Sequence, residues 1–121
     1  MQDFRRLNVW KRAHGLALDA RRAAGRFPRS GFASLKSQLI RAAESIPTNI
    51  VEGCGAAGQK EFARFLEIAI KSCFEVDYQL QLARDADALS DGDWRPLTSE
   101  VVQIRKMLYA LRKRILDSDG S

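Results

Sequence analysis

The sequence predicts an all-α protein, an antiparallel up-down-up-down four-helix bundle, and three observations carry that expectation. Apolar residues recur at alternating steps of three and four along most of the chain. No stretch alternates apolar and polar residues between hairpin turn signals, as a half-buried strand would. The connections between the periodic stretches are short, which places consecutive helices side by side in opposite directions. With 121 residues, 45% of them hydrophobic and 29% charged, the chain can bury one core but hardly two, so residues 1–121 read as a single domain.

Helix one is expected over about residues 8–26, where Trp10, Ala13, Ala17, Ala20, Ala24 and Phe27 keep a heptad step. Its small residues would let a neighbouring helix approach closely. Pro28 stops it, because the residue before a proline is disfavoured in the helical region, and Ser30 is placed to cap the next helix. Helix two, about 31–53, reads Phe32, Leu35, Leu39, Ala42 and Ile46. Pro47 sits inside it, where the lost hydrogen bond and ring clash predict a kink rather than a break, since the pattern resumes at Ile50 and Val51. Gly53, Gly55 and Gly58 then make a corner. Helix three, about 59–90, carries the seam Phe62, Leu66, Ala69, Cys73, Val76, Leu80 and Ala83. After Ser90-Asp91-Gly92-Asp93, with Asp91 or Asp93 as cap, helix four over about 93–116 repeats the rule through Trp94, Leu97, Val101, Ile104, Leu108, Leu111 and Ile115.

Helix three carries more apolar surface than one seam needs. Ile70, Phe74, Tyr78 and Leu82 form a second row at four-residue spacing, expected to point away from the seam; it reads either as a widened core face or, the favoured reading, as an interface that glues copies of the chain together as a homo-oligomer.

Charge is uneven. The net charge is +5 and the pI about 9.6, which favours anionic partners. Residues 1–30 hold eight basic and two acidic side chains, whereas residues 59–91 hold four basic and seven acidic. If Trp10 and Ala17 mark the buried side of helix one, then Lys11, Arg12, Arg22, Arg26 and Arg29 fall largely on its outer face. Together with Arg112 and Lys113 near the end of helix four, they are the expected phosphate contacts of a nucleic-acid-binding surface, sequence-independent and weakened by salt. The buried stripe of helix one is mostly alanine and would grip lipid weakly, so no membrane role is expected. No export signal or membrane-spanning run is recognisable, and two lone cysteines suit a reducing compartment, so a cytoplasmic location is expected.

Residues that could carry chemistry are sparse. His14 is the only histidine and lacks the glutamate three residues earlier that di-iron bundles use, so no metal is expected. Cys54 and Cys73 have no partners at zinc spacing, and either as nucleophile would need His14 as its base. The run Gly53-Cys54-Gly55-Ala56-Ala57-Gly58-Gln59-Lys60 misplaces the lysine of a phosphate loop and lacks its Ser or Thr. The chain therefore reads as a non-enzyme without cofactor. Asn49 and Ser72, polar residues inside apolar patterns, read as structural, fixing register or satisfying the carbonyl that a proline frees.

Several ordered blocks carry a resemblance. These are Phe4-x-x-Leu7-x-Val9-Trp10-x-x-Ala13, Phe27-Pro28, Gln38-Leu39-x-Arg41-Ala42-Ala43-x-Ser45-Ile46-Pro47-x-Asn49-Ile50-x-Glu52-Gly53, Lys60-Glu61-Phe62-x-x-Phe65-Leu66-x-Ile68-Ala69 and Ser72-x-x-Glu75. Over residues 4 to about 89 the chain resembles bacterial proteins encoded in intervening sequences of large-subunit ribosomal RNA genes, a fold family that includes the accessory variability determinant of diversity-generating retroelements. The resemblance implies a ring-like homopentamer that binds RNA or DNA, or that partners a reverse transcriptase or other polymerase as a scaffold, with no catalytic residues. It also marks Gln38, Arg41, Asn49, Glu52, Glu61 and Glu75 as shared polar residues expected to hold the bundle or its subunit contacts together. The chain departs from the family at Gly31, Val51, Lys71, Ala56 and Ala57. The last two leave the glycine corner without the basic residues often found there.

Overall fold

The computed structural model describes residues 3–119. A single 3₁₀ turn, Phe4–Arg6, leads into α1 (Asn8–Gly25), followed by α2 (Ala33–Cys54), α3 (Gln59–Asp85) and α4 (Asp91–Asp119), with no strand among the described residues. Each helix touches two others: α1 meets α2 and α4, α3 meets α2 and α4, and the diagonal pairs do not meet. Residues in contact run in opposite senses on neighbouring helices. Arg12 meets Glu100 while Arg26 meets Asp93, and Ser45 meets Ser72 while Gly53 meets Phe62.

The expected seams form the core. Leu16, Leu39, Ile46, Ile50, Leu66, Cys73, Val76, Leu80, Val101, Ile104 and Leu108 are fully buried, and the alanines of α1 at 13, 20, 23 and 24 let its neighbours approach. α2 passes through Pro47 unbroken, as expected. The turn is fastened by side chains: Thr48 Oγ1 donates to the Glu44 carbonyl and Asn49 Nδ2 to the Ser45 carbonyl, both at 2.8 Å. The carbonyl that Asn49 satisfies is thus not that of Ala43, the one Pro47 frees.

Three helix boundaries differ from expectation. α3 ends at Asp85 rather than near residue 90 because Asp87 takes a left-handed φ of 62°. The Ala88 N–H then bonds the Ala83 carbonyl at 2.9 Å and the Asp87 N–H the Arg84 carbonyl at 3.0 Å, a Schellman closure in which Asp stands where Gly is usual. Ala88 and Leu89 fold back into the core. α4 begins at Asp91 because Ser90 caps it, its Oγ accepting from the Asp93 N–H at 3.2 Å. Asp91 and Asp93 instead occupy the first turn, where negative charge suits the helix dipole. Ser30 does not cap α2: Gly31, at φ 89°, turns the chain away, and Phe32 precedes the helix without a side-chain cap.

The second row on α3 also needs correction. Ile70 is only 5% exposed and belongs to the chain's own core, whereas Phe74, Tyr78 and Leu82 are 51%, 61% and 37% exposed. A four-residue step overshoots a full turn by about 40°, so three steps wind the row by about 120°, from beneath α4 out to solvent.

Close packing at the α2–α3 corner requires a glycine. A Cβ on Gly53 would lie 2.8 Å from Phe62 Cδ1 and 3.1 Å from Phe65 Cβ, while Gly15 has open space around it. Gly53→Ala is expected to cost about 1–3 kcal/mol, and Gly15→Ala to stabilise α1 by roughly 0.5–1 kcal/mol. Urea unfolding of both variants checks the pair; equal stability of the two would contradict the packing described.

Candidate nucleic-acid interface

The bundle presents four outer seams of different chemistry. Between α1 and α2 runs a largely apolar groove of about 380 Å³ where Phe4, Trp10, Leu18, Pro47 and Val51 meet the polar His14, Glu44 and Thr48. Its aromatic groups support one another: His14 stacks on Trp10 at 4.9 Å and Phe4 meets Trp10 edge-on at 4.8 Å. On α3, Phe74, Tyr78 and Leu82 form an exposed ridge, and Tyr109 of α4 is 51% exposed as well. Arg105 braces this ridge, lying 4.4 Å over the Phe74 ring and 3.4 Å from Asp77.

The α2–α3 seam is polar. Gln38, Arg41, Ser45, Asn49 and Glu52 lie at steps of three and four along one stripe of α2. The Ser45 hydroxyl bonds Ser72 of α3 at 2.8 Å and accepts from Asn49 of its own helix at 3.1 Å, so the link between α2 and α3 runs from Ser45 to Ser72, with Asn49 orienting Ser45. Gln38, Arg41, Glu52 and Glu75 are exposed and bond to nothing among the described residues, and Glu61 pairs with Arg64 of its own helix. Among the described residues none of the six shared polar side chains bonds to another helix, and Asn49 acts on α3 only through Ser45.

The α1–α4 seam carries three of the seven cations expected to face phosphate, Arg12, Arg22 and Arg26. Arg12 grips Glu100 through two bonds of 2.9 and 2.6 Å, and Arg26 grips Asp93 through two of 2.9 and 3.0 Å. These partners raise both guanidinium pKa values. Arg22 pairs with Asp19 at 3.0 Å, Arg112 with Glu67 at 3.4 Å and Lys113 with Asp117 at 3.0 Å. Lys11 and Arg29 have no carboxylate partner among the described residues. Among the described residues ten ion pairs engage ten of the chain's twenty Lys and Arg and an equal number of carboxylates, so the +5 excess rests on cations without a carboxylate partner there. Two unpaired cations, Arg6 and Arg114, flank a cleft of about 520 Å³ where the seam ends. That cleft was not legible in the sequence, since its two sides lie more than a hundred residues apart.

No groups of three or more potential metal ligands gather among the described residues, and no described helix is long and apolar enough to cross a membrane. Burial raises the thiol pKa of Cys54 and pushes that of Cys73 up to about 12, which keeps both protonated at neutral pH.

The family model for 23S rRNA-intervening sequence proteins matches residues 5–110. The chain belongs to that family. This 23S rRNA-intervening sequence protein is also similar to a protein of unknown function from the S23 ribosomal protein family of Bacteroides thetaiotaomicron. The two share 22% identity over 87% of this chain and 98% of the other, with a TM-score of 0.81, a likeness that shows the fold. No curated protein matches the chain.

Folded protein should therefore resist thiol reagents at pH 8, with both cysteines modified only on unfolding. Because the folded pKa of Cys73 lies above the ordinary 9.0, its contribution to stability is intact below pH 9 and lost as the pH climbs towards 12. Relative to Cys73→Ala, the native protein should lose up to about 1.4 kcal/mol per pH unit across that window, measured by urea unfolding; parallel curves would contradict the burial.

Proposed function

We propose that this 23S rRNA-intervening sequence protein is a non-enzymatic, RNA-associated protein that works as a closed ring of copies of an antiparallel up-down-up-down bundle. One observation carries this reading: two uncovered, largely apolar surfaces lie apart on the chain, a groove between α1 and α2 and the exposed ridge of α3. Surfaces set apart on the chain cannot both be covered by each other in a single two-fold contact. The ridge of one copy enters the groove of the next, and such head-to-tail contacts either close into a ring or grow into a filament. The homopentamer implied by the family resemblance is one such ring. The shared polar residues Gln38, Arg41, Glu52 and Glu75, idle within one chain, are then available at subunit edges.

In this arrangement the α1–α4 seams of all copies face the same side. Repetition multiplies a modest cationic surface, because linked weak sites bind one polyanion with greatly raised avidity. Lys11 and Arg29, free of carboxylates, contact phosphate most cheaply. The five paired cations must first exchange a carboxylate, a small cost for exposed pairs. The same five pairs also favour a second reading: a scaffold for a protein partner such as a reverse transcriptase or other polymerase, with no RNA or DNA bound directly.

Light scattering at micromolar concentration is expected to give a single multimer, and Phe74→Asp with Tyr78→Asp a helical monomer. A native monomer would overturn the ring. RNA affinity of the native protein should fall by an order of magnitude or more between about 50 and 200 mM salt. A salt-tolerant complex with a polymerase and no RNA binding would select the scaffold instead.

A further inference from the structure

We infer that the cleft where α1 begins and α4 ends is a seat for one nucleotide of single-stranded RNA, with its phosphate on Arg6 and Arg114 and its nucleoside against Leu7, Met107 and Leu111. The inference rests on the RNA-associated reading above and gives it a site. Its volume of about 520 Å³ falls inside the range of small-ligand pockets, roughly 300–1,000 Å³. Among five clefts on the described residues, this is the one whose lining holds cations and no carboxylate. Both guanidiniums are unpaired among the described residues, while Arg5 and Arg12 nearby in sequence are each tied to an acid.

The floor decides the class of ligand. Leu7, Met107 and Leu111 are half-buried, leaving apolar surface between the two cations. A bare inorganic anion would satisfy the guanidiniums and leave that surface wet. A nucleotide does both, since guanidinium offers a planar fork to phosphate and sugar and base cover apolar side chains. A single strand fits and a duplex does not, because paired bases stay stacked inside the helix while unpaired ones can be splayed onto protein. Arg6 and Arg114 come from opposite ends of the sequence, so the seat exists only once the bundle has closed.

The test titrates native protein with adenosine 5′-monophosphate, adenosine, inorganic phosphate and a ten-nucleotide single-stranded RNA, following amide signals by NMR and RNA affinity by fluorescence anisotropy. The monophosphate should shift signals of residues 6–9 and 107–114 and bind at least tenfold more tightly than adenosine or phosphate. Arg6→Ala with Arg114→Ala, both at exposed positions, should keep the helical circular dichroism spectrum, lose the monophosphate shifts and lower the slope of log affinity against log salt for RNA by about one. Arg6→Lys with Arg114→Lys, which keeps charge without the fork, should bind the monophosphate with intermediate affinity. RNA binding undiminished in the alanine pair, or a monophosphate that leaves those signals unmoved, would overturn the seat alone. Monophosphate binding without any RNA binding would overturn the RNA assignment of the seat together with the RNA-associated reading.

Discussion

The rotation of each helix about its own axis governs everything else on this molecule. Each helix carries a stripe of aliphatic side chains that can leave water only against the other three, and burial of groups such as Leu39, Ile46, Leu66, Leu80, Ile104 and Leu108 supplies the driving force. Once those stripes face inward, every remaining residue has a fixed bearing. Tyr78 cannot be buried without exposing Leu80. The cross-helix contacts, Arg12 with Glu100, Arg26 with Asp93 and Ser45 with Ser72, trim an orientation that the core has already chosen. Exposed pairs of this kind contribute about 1 kcal/mol or less each, far below the total for the core.

A division of labour among the outer seams follows from that fixed orientation. Apolar groups that the core could not accommodate collect on two separate surfaces, at Trp10, Leu18 and Val51 on one and Phe74, Tyr78 and Leu82 on the other. Polar side chains collect between α2 and α3, and cations between α1 and α4. Pairing of half the cations within the chain explains why a pI near 9.6 overstates the positive surface. What matters to a polyanion is where the unpaired half lies, and two of its members, Arg6 and Arg114, lie beside an apolar floor at the end of the α1–α4 seam. The family's name points towards 23S rRNA; under the proposed reading the seams are where a small helical protein meets RNA.

Much of this was legible in the sequence, because the heptad pattern and the helical stripe are the same object seen in one and three dimensions. All four helices, the unbroken passage through Pro47 and the break around Ser90 were readable from spacing and local chemistry. The α3 terminus was not, because Asp87 adopts a backbone conformation that glycine usually signals, and nothing in its neighbours announces it. The row from Ile70 to Leu82 misleads for a geometrical reason: residues four apart are adjacent, yet a long chain of such steps spirals around the helix and crosses from core to solvent. Tyr109 and Leu18 escape sequence reading because each stands alone in the chain and gains meaning only from residues on a neighbouring helix. Ion pairing is hidden for the same cause: Arg12 and Glu100 are 88 residues apart, and Arg26 and Asp93 are separated by 67.

The claim that ridge meets groove is open to direct capture. With a photo-crosslinking benzoylphenylalanine in place of Tyr78, irradiation at micromolar concentration followed by peptide mass spectrometry reports which surface lies against the ridge. The structure predicts cross-links to peptides containing Trp10, Leu18 or Val51 of another copy. Cross-links from position 78 to position 78, or none between chains, would contradict it.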